Sequence, residues 1–461
     1  MWEDARSGAG LLAGDRRPLT IGIVLLITLV GFEALAAATA FPVVLHELGH
    51  VNLYGWTFSA FLLASLIGIT VAGQQSDRLG PRRPLIAGAV LFAIGLVIVG
   101  AAPSMLVVVG GRFVQGLGAG ALPAVVYVVI GRAYPASARP KMFATLSSAW
   151  VLPSLIGPAI AGAVAEHLSW RLVFVGILPI LGLALALSLP ALGALDREAT
   201  GDDDGEARSR ASIAVRLAFG AGLVLAGLGT RSFVAVPLVV VGAVLAGPAL
   251  RRLVPKGTLR AAPGVPAAIA VRGLLTFPFF GADAFLPLML TSVRHLSPTR
   301  AGLALTVSGL SWTLGSWVQA RGASRVTIRR FGVVGISLVV VGIGGIALAL
   351  SSAVPAAVAW LAWGVGGLGM GMAYSMPSLV VLGDAPPDEV GAMTASLQLT
   401  DTLGMALGTG VGGSIVAFGA ASGWARSTSI GLVDALMAAV GVMAVVAARR
   451  LPHRRAADPL S

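Results

Sequence analysis

Residues 73–84 of the chain read Gly-Gln-Gln-Ser-Asp-Arg-Leu-Gly-Pro-Arg-Arg-Pro. Six positions of this stretch form the pattern G-x-x-x-D-R-x-G-x-R-R, namely Gly73, Asp77, Arg78, Gly80, Arg82 and Arg83. An apolar run lies on each side, at about 55–76 and 84–102, and each is long enough to cross a bilayer. A glycine-containing turn with basic anchors is the simplest interpretation. The complete pattern of six residues between two apolar runs is far more specific than such a turn. It predicts that the motif lies in a loop between two spans of a polytopic membrane protein.

Composition agrees with a membrane protein. Of the 461 residues, 56% are hydrophobic and 11% are charged, whereas soluble domains have about 25% charged residues. A chain this apolar needs a bilayer as its solvent. With no cysteine, disulfides, thiolate metal sites and cysteine nucleophiles are excluded. The net charge of +12 comes from short basic clusters between apolar runs, so we expect no nucleic-acid partner.

Apolar segments predict an all-α protein with fourteen membrane spans. The predicted spans are 19–42, 55–76, 84–102, 104–131, 142–165, 171–191, 212–230, 233–250, 266–291, 300–320, 328–351, 354–382, 390–419 and 427–448. With both termini cytoplasmic, 24 of the 32 basic residues fall on the cytoplasmic side, as the positive-inside rule requires. The pair 212–250 could also be re-entrant, which would leave twelve spans and the same orientation.

Further motifs follow in order along the chain. The fourth span contains R-x-x-Q-G-x-G from Arg112 to Gly118. The fifth contains Trp-Val-Leu-Pro-Ser-Leu-Ile-Gly-Pro-Ala-Ile-Ala-Gly at 150–162. Its proline and glycine positions are Pro153, Gly157, Pro158 and Gly162. In the first span, Glu33 stands nine residues before Pro42.

Together these motifs resemble those of the major facilitator superfamily, and in particular its fourteen-span drug:proton antiporters. The resemblance implies two six-helix bundles with two extra transmembrane helices between them. The implied division is 1–192 for the first bundle, 193–211 for a cytoplasmic loop, 212–250 for the inserted pair, 251–265 for a linker, 266–448 for the second bundle and 449–461 for a cytoplasmic tail. Pro153 departs from the antiporter pattern, which has glycine there, and the loop motif has lost its aspartate in the second half.

Charged groups inside spans are the candidate site. Such groups are costly in lipid, so they normally face a cavity or a partner. They are Glu33, Arg112, Asp283 and Asp401, with Asp434 near the end of the last span. A carboxyl group away from water can carry a proton near neutral pH. We expect this of Glu33 and Asp283, and the resemblance implies that Arg112 tunes a nearby carboxylate. The alternative is a structural charge pair between Arg112 and Glu33.

One motif points elsewhere. His46-Glu47-Leu48-Gly49-His50 has the H-E-x-x-H spacing of zinc proteases, in which two histidines on one helical face bind metal. It lies past the predicted end of the first span, in a short outer loop, and no other histidine follows as a plausible third ligand. A membrane metalloprotease is therefore a remote alternative. We expect no metal and no cofactor.

Together with the carboxylates in the apolar segments, the resemblance implies a proton-coupled exporter of hydrophobic or cationic drugs and similar small molecules, acting by alternating access and not as an enzyme. The alternative is export or flipping of a lipid, a glycolipid or a secondary metabolite. The expected partners are the small-molecule substrate, protons and membrane lipids. We expect a monomer in a bacterial plasma membrane, with many spans and cytoplasmic termini.

Overall fold

Helices are the only extended secondary structure in the part of the chain that a computed structural model describes, residues 16–135, 138–195, 205–386 and 389–455. Long apolar segments form helices because a helix satisfies every backbone hydrogen bond internally. The helices are α1 Arg16–Leu48, α2 Trp56–Leu79, α3 Arg82–Gly100, α4 Met105–Ala133, α5 Arg139–Ser148, α6 Val151–His167, α7 Trp170–Val175, α8 Leu178–Leu195, α9 Gly205–Leu228, α10 Ala235–Leu253, α11 Val265–Ser292, α12 Pro298–Gly322, α13 Ile328–Leu348, α14 Ala357–Ala373, α15 Met376–Asp384, α16 Val390–Ala421 and α17 Arg426–Ala448.

Twelve helical segments in the described residues are long and apolar enough to cross a membrane. The chain is therefore a multi-pass membrane protein. Of the fourteen predicted spans, two are missing from these twelve, at 142–165 and 300–320. The first is divided into α5 and α6 by a turn at 149–150. The second corresponds to α12, whose 25 residues include Arg300, Gln319 and Arg321.

Several predicted boundaries were wrong. α1 continues through Pro42 to Leu48, so His46 and Glu47 belong to its last turn and not to a loop. α9 begins at Gly205, inside the segment predicted to be a loop. Of the rest of that loop, 193–195 belong to α8 and 196–204 lie outside the described residues.

The helices pack in two groups joined by a pair. α1 packs on α6 and α8, and α4 packs on α2 and α3; these helices, α1–α8, form the first group. In the second group, α11–α17, α11 packs on α16 and α17, and α14 packs on α12 and α13. α9 and α10 pack on each other, and α9 also contacts both α2 and α16. The inserted pair therefore lies against helices of both groups.

The two groups meet mainly along two helix pairs, α2 with α16 and α6 with α12, and α1 also contacts α11 and α12. At the end of the molecule that carries the α1–α2 connection, Tyr54 donates a hydrogen bond to the carbonyl oxygen of Ala284 at 3.0 Å. A Cβ atom placed on Gly55 would lie 2.4 Å from Cα of Gly413. The backbones of the two groups are therefore in direct contact at this end.

Candidate functional site

The first charged cluster lies inside the first helix group. Arg112 of α4 forms an ion pair with Glu33 of α1, and both side chains are at most 3% exposed. Arg112 also donates to the Gln115 side chain at 2.8 Å and to the carbonyl oxygen of Thr57 at 2.9 Å. Its guanidinium lies 4.0 Å from the ring centroid of Phe61. The pairing that the sequence left open is thus present, and the arginine is held by partners on three helices.

A second ion pair lies inside the second group, and only half of it was predicted. Asp401 of α16 lies 3.8 Å from Arg272 of α11, measured between Oδ1 and Nη1. Tyr374 donates its hydroxyl to the other oxygen of Asp401 at 2.9 Å. Arg272 donates to Ser378 at 2.6 Å. Arg272 could have been found from the sequence, because it is one of three basic residues, with Arg112 and Arg216, that lie more than three positions from the ends of the predicted spans.

Asp283 is bound differently from the other two acids. Trp363 of α14 donates its indole N–H to the carboxylate of Asp283 at 2.7 Å. No ion pair to Asp283 occurs among the described residues. Trp363 is fully buried, whereas Asp283 is partly exposed. The bond comes from a residue of another helix, 80 positions away in the chain.

An aromatic cluster adjoins this acid. The ring of Phe279 stacks on that of Trp363 with centroids 4.8 Å apart, and it meets the edge of Trp312 at 5.5 Å. Trp312 in turn lies 5.2 Å from Tyr374 and 6.4 Å from Phe280. One member of this aromatic cluster bonds Asp283 and another bonds Asp401. The cluster consists of Phe279, Phe280, Trp312, Trp363 and Tyr374.

The predicted loop motif is mostly helical. Gly73 to Leu79 form the last turns of α2, and only Gly80 and Pro81 separate it from α3. Gly80 has a φ of 81°, which a side chain would oppose. Arg78 and Arg82 take part in polar contacts, and Arg83 is exposed. The side chain of Asp77 lies outside the described part of the structure.

The antiporter-like motif lies where α6 meets α12. A Cβ atom on Gly162 would approach Thr299 to 2.8 Å, and one on Gly302 would approach the carbonyl oxygen of Pro158 to the same distance. Pro153 is buried in the same helix, and Gly157 packs near Phe32 of α1. Small residues here allow the backbones of the two groups to come together.

The H-E-x-x-H motif has a structural explanation. Glu47 accepts a hydrogen bond from the indole of Trp170 and another from Arg171, both at 2.7 Å. It thereby ties the end of α1 to the start of α7. Across the described residues there is no group of three or more potential ligands that could hold a metal ion.

This arrangement, with two helix groups around charged residues buried in apolar helices, defines a multi-pass membrane transporter. A family model described as Major Facilitator Superfamily matches residues 21–409. The chain belongs to this superfamily, so it is a transporter and not an enzyme.

Relatives of known name extend over most of the chain. A protein of Mycobacterium tuberculosis named "Probable multidrug-efflux transporter" is 28% identical, covering 93% of this chain and 95% of its own. "Multidrug resistance protein 3" of Bacillus subtilis is 24% identical, covering 86% of this chain and 79% of its own.

Solved structures show the same fold at low identity. The D-xylose-proton symporter has a TM-score of 0.66 and 16% identity, covering 95% of this chain and 98% of that one. A POT family transporter has a TM-score of 0.67 and 16% identity, with 92% and 96% covered.

Proposed function

We propose that this protein is a proton-coupled secondary active transporter that exports hydrophobic or cationic small molecules by alternating access. The observation that carries this proposal is the partly exposed acid Asp283 beside an aromatic cluster inside an apolar helix bundle. A carboxylate in such surroundings attracts a cation, and aromatic faces bind it as well. The names of the relatives from Mycobacterium tuberculosis and Bacillus subtilis support export of drugs.

The finer architecture belongs to the same proposal. We infer fourteen spans. We count α5 and α6 together as one crossing of the first group and α12 as one crossing of the second, and α6 packs against α12 where the groups meet. Each group then has six membrane crossings. The first group, the inserted pair and the second group then correspond to 1–192, 212–250 and 266–448. The 193–211 and 251–265 segments join them. By the positive-inside rule both termini would lie in the cytoplasm, and the membrane would be a bacterial plasma membrane. Asp283 and Asp401 would border the central cavity, with the enclosed pair of Glu33 and Arg112 beside it, and the protein would act as a monomer.

Contacts between the groups support alternating access. The α1–α2 end is closed by Tyr54 with Ala284, and Glu166 of α6 accepts a hydrogen bond from the hydroxyl of Thr299 at 2.6 Å. In the proposed orientation this is the outer end, so the structure corresponds to an outward-closed state. Rocking of one group against the other would have to break these few contacts.

Transport of a cationic dye in proteoliposomes tests the function. An acidic lumen should drive dye into vesicles that contain the protein, and a protonophore should stop this uptake. Empty vesicles with the same gradient are the control. Dye uptake that is indifferent to the gradient would contradict proton coupling. A fluorescent phospholipid in the same vesicles tests the alternative: movement of the lipid without movement of dye would favour a lipid flippase.

A further inference from the structure

Two helices, α4 in the first half of the protein and α14 in the second, share a glycine spacing that aligns them with each other. α4 has Arg112 followed by glycines four, six and eight residues later, and α14 has Trp363 followed by glycines at the same spacings. Cβ atoms on Gly116 and Gly120 would lie 2.2 and 2.1 Å from carbonyl oxygens of α2. Cβ atoms on Gly367 and Gly371 would lie 2.2 and 2.1 Å from carbonyl oxygens of α12.

The middle glycine of each helix extends the match to a third helix. A Cβ atom on Gly118 would lie 2.4 Å from the carbonyl oxygen of Gly88 in α3. One on Gly369 would lie 2.3 Å from the carbonyl oxygen of Gly335 in α13. Because all three glycines agree in register and partner helix, α4 with its neighbours and α14 with its neighbours are the same packing unit. Trp363 therefore occupies in the second half the position of Arg112 in the first.

Each of these two residues binds an acid from the first helix of its own group. Arg112 holds Glu33 of α1, and Trp363 holds Asp283 of α11. The position of the partner residue is the same in both halves, but Arg112 is charged and Trp363 is neutral. A guanidinium compensates Glu33 permanently, whereas a neutral indole supplies Asp283 with a hydrogen bond and no charge.

The other acids inside the helices differ from Asp283 in this respect. Several helices pack against α11, and their interior turns carry three charged residues, Glu33, Asp401 and Asp434. All other charged residues of those helices lie within two turns of a helix end. Asp401 has the cation Arg272 of α11 itself. Asp434 is 2% exposed in α17, so a ligand does not reach it. Among the described residues, Asp283 thus combines partial exposure with a neutral partner.

We propose that Asp283 is the exchange site, the carboxyl group at which a proton and the cationic substrate replace each other, and that Glu33 with Arg112 is a permanently neutral pair that positions α1 against α4. In the exchange, the Asp283 carboxyl O–H bond breaks, the proton goes to water and the carboxylate pairs with the cation. The Trp363 N–H stays bonded to Asp283 in both states. The proposal rests on the proposed function and specifies which acid performs the coupling.

The same position predicts a preference for planar aromatic cations. Phe279 lies stacked on Trp363, which is bonded to Asp283, so aromatic rings and the negative charge are adjacent. Phe280 and Trp312 continue the cluster with partly exposed rings. A flat cation could place its charge at Asp283 and its ring system on these faces.

Proton release on dye binding tests the assignment. The purified protein in detergent and weak buffer should release protons when a planar cationic dye is added. Asp283→Asn should lower both this release and the dye affinity at least tenfold, and Asp283→Glu should restore both. The double variant Glu33→Gln with Arg112→Gln should still release protons on binding dye. Asp434→Asn, the same chemical change at an enclosed acid, is the control and should release protons like the wild type.

Trp363→Arg tests the proposal most directly, because it puts an arginine in the second half at the position that Arg112 occupies in the first. The arginine should neutralise Asp283 permanently and abolish both proton release and dye binding, while the protein stays monodisperse in gel filtration. The proposal is overturned if Asp283→Asn still releases protons on dye binding, or if only the double variant loses this release. Dye binding by the wild type with no proton release would instead overturn the proton coupling itself.

Discussion

Replacing Gly55 by alanine should open the contact between the two helix groups. The Cβ atom would lie 2.4 Å from Cα of Gly413, whereas carbon atoms at ordinary contact are about 3.5–4.0 Å apart. The backbones must therefore separate by about 1–1.5 Å at this point. Gly55 has φ −63° and ψ −29°, which alanine adopts freely. The effect is therefore steric and not due to backbone strain.

The magnitude follows from the cost of overpacking. An extra methyl group in a tight contact costs about 1–3 kcal/mol. Here the cost falls on the closed state alone, because the two groups need not touch when this end opens. Each 1.4 kcal/mol is about tenfold in population, so the ratio of closed to open molecules should fall by about 5- to 150-fold.

Spin labels can measure this shift because the chain has no native cysteine. Leu168→Cys in the first group and Ser352→Cys in the second place labels at exposed positions on the same end. Double electron–electron resonance should show a longer distance in Gly55→Ala and in Gly413→Ala than in the otherwise unchanged protein. Gly182→Ala is the control, since a Cβ atom there meets nothing within 4 Å. Distance distributions that match this control would refute the steric argument.

Three further predictions concern stability. Arg112→Ala should lower the free energy of unfolding by about 3–5 kcal/mol because it leaves Glu33 buried without its cation; a melting temperature in detergent within 1 °C or so of the wild type would contradict this. Glu47→Ala should lower the free energy of unfolding by about 1–3 kcal/mol, because the indole N–H of Trp170 loses its acceptor. The zinc content of the purified protein, measured by mass spectrometry, should be the same before and after the change. Gly371→Ala places a Cβ atom 2.1 Å from a backbone oxygen of α12, so folded yield should fall severalfold, which gel filtration would show.

The sequence was a good guide to helices and a poor guide to their ends. Apolar runs predict helices because lipid leaves the backbone no other partner. Ends depend on local tertiary contacts instead. Pro42 suggested the end of α1, yet the helix continues to Leu48, and Glu47 in its last turn is bonded to Trp170.

The candidate site shows the same division. Glu33, Asp283 and Asp401 were conspicuous as acids inside apolar segments, and the sequence alone identified them. Their partners lie far away in the chain. Arg112 is 79 positions from Glu33, Trp363 is 80 positions from Asp283, and Arg272 is 129 positions from Asp401. No local pattern encodes such pairings, because they depend on which helix faces turn towards each other.

What the sequence by itself determined is therefore the kind of protein, its helices and the short list of buried charges. These follow from composition and spacing, which the cost of placing polar groups in lipid controls. Only the tertiary structure decided how those charges are distributed. It gave Glu33 and Asp401 arginine partners, but it gave Asp283 a tryptophan. Helix packing sets that difference, since the glycines of α4 and α14 bring Arg112 and Trp363 to equivalent positions and leave only one of them charged.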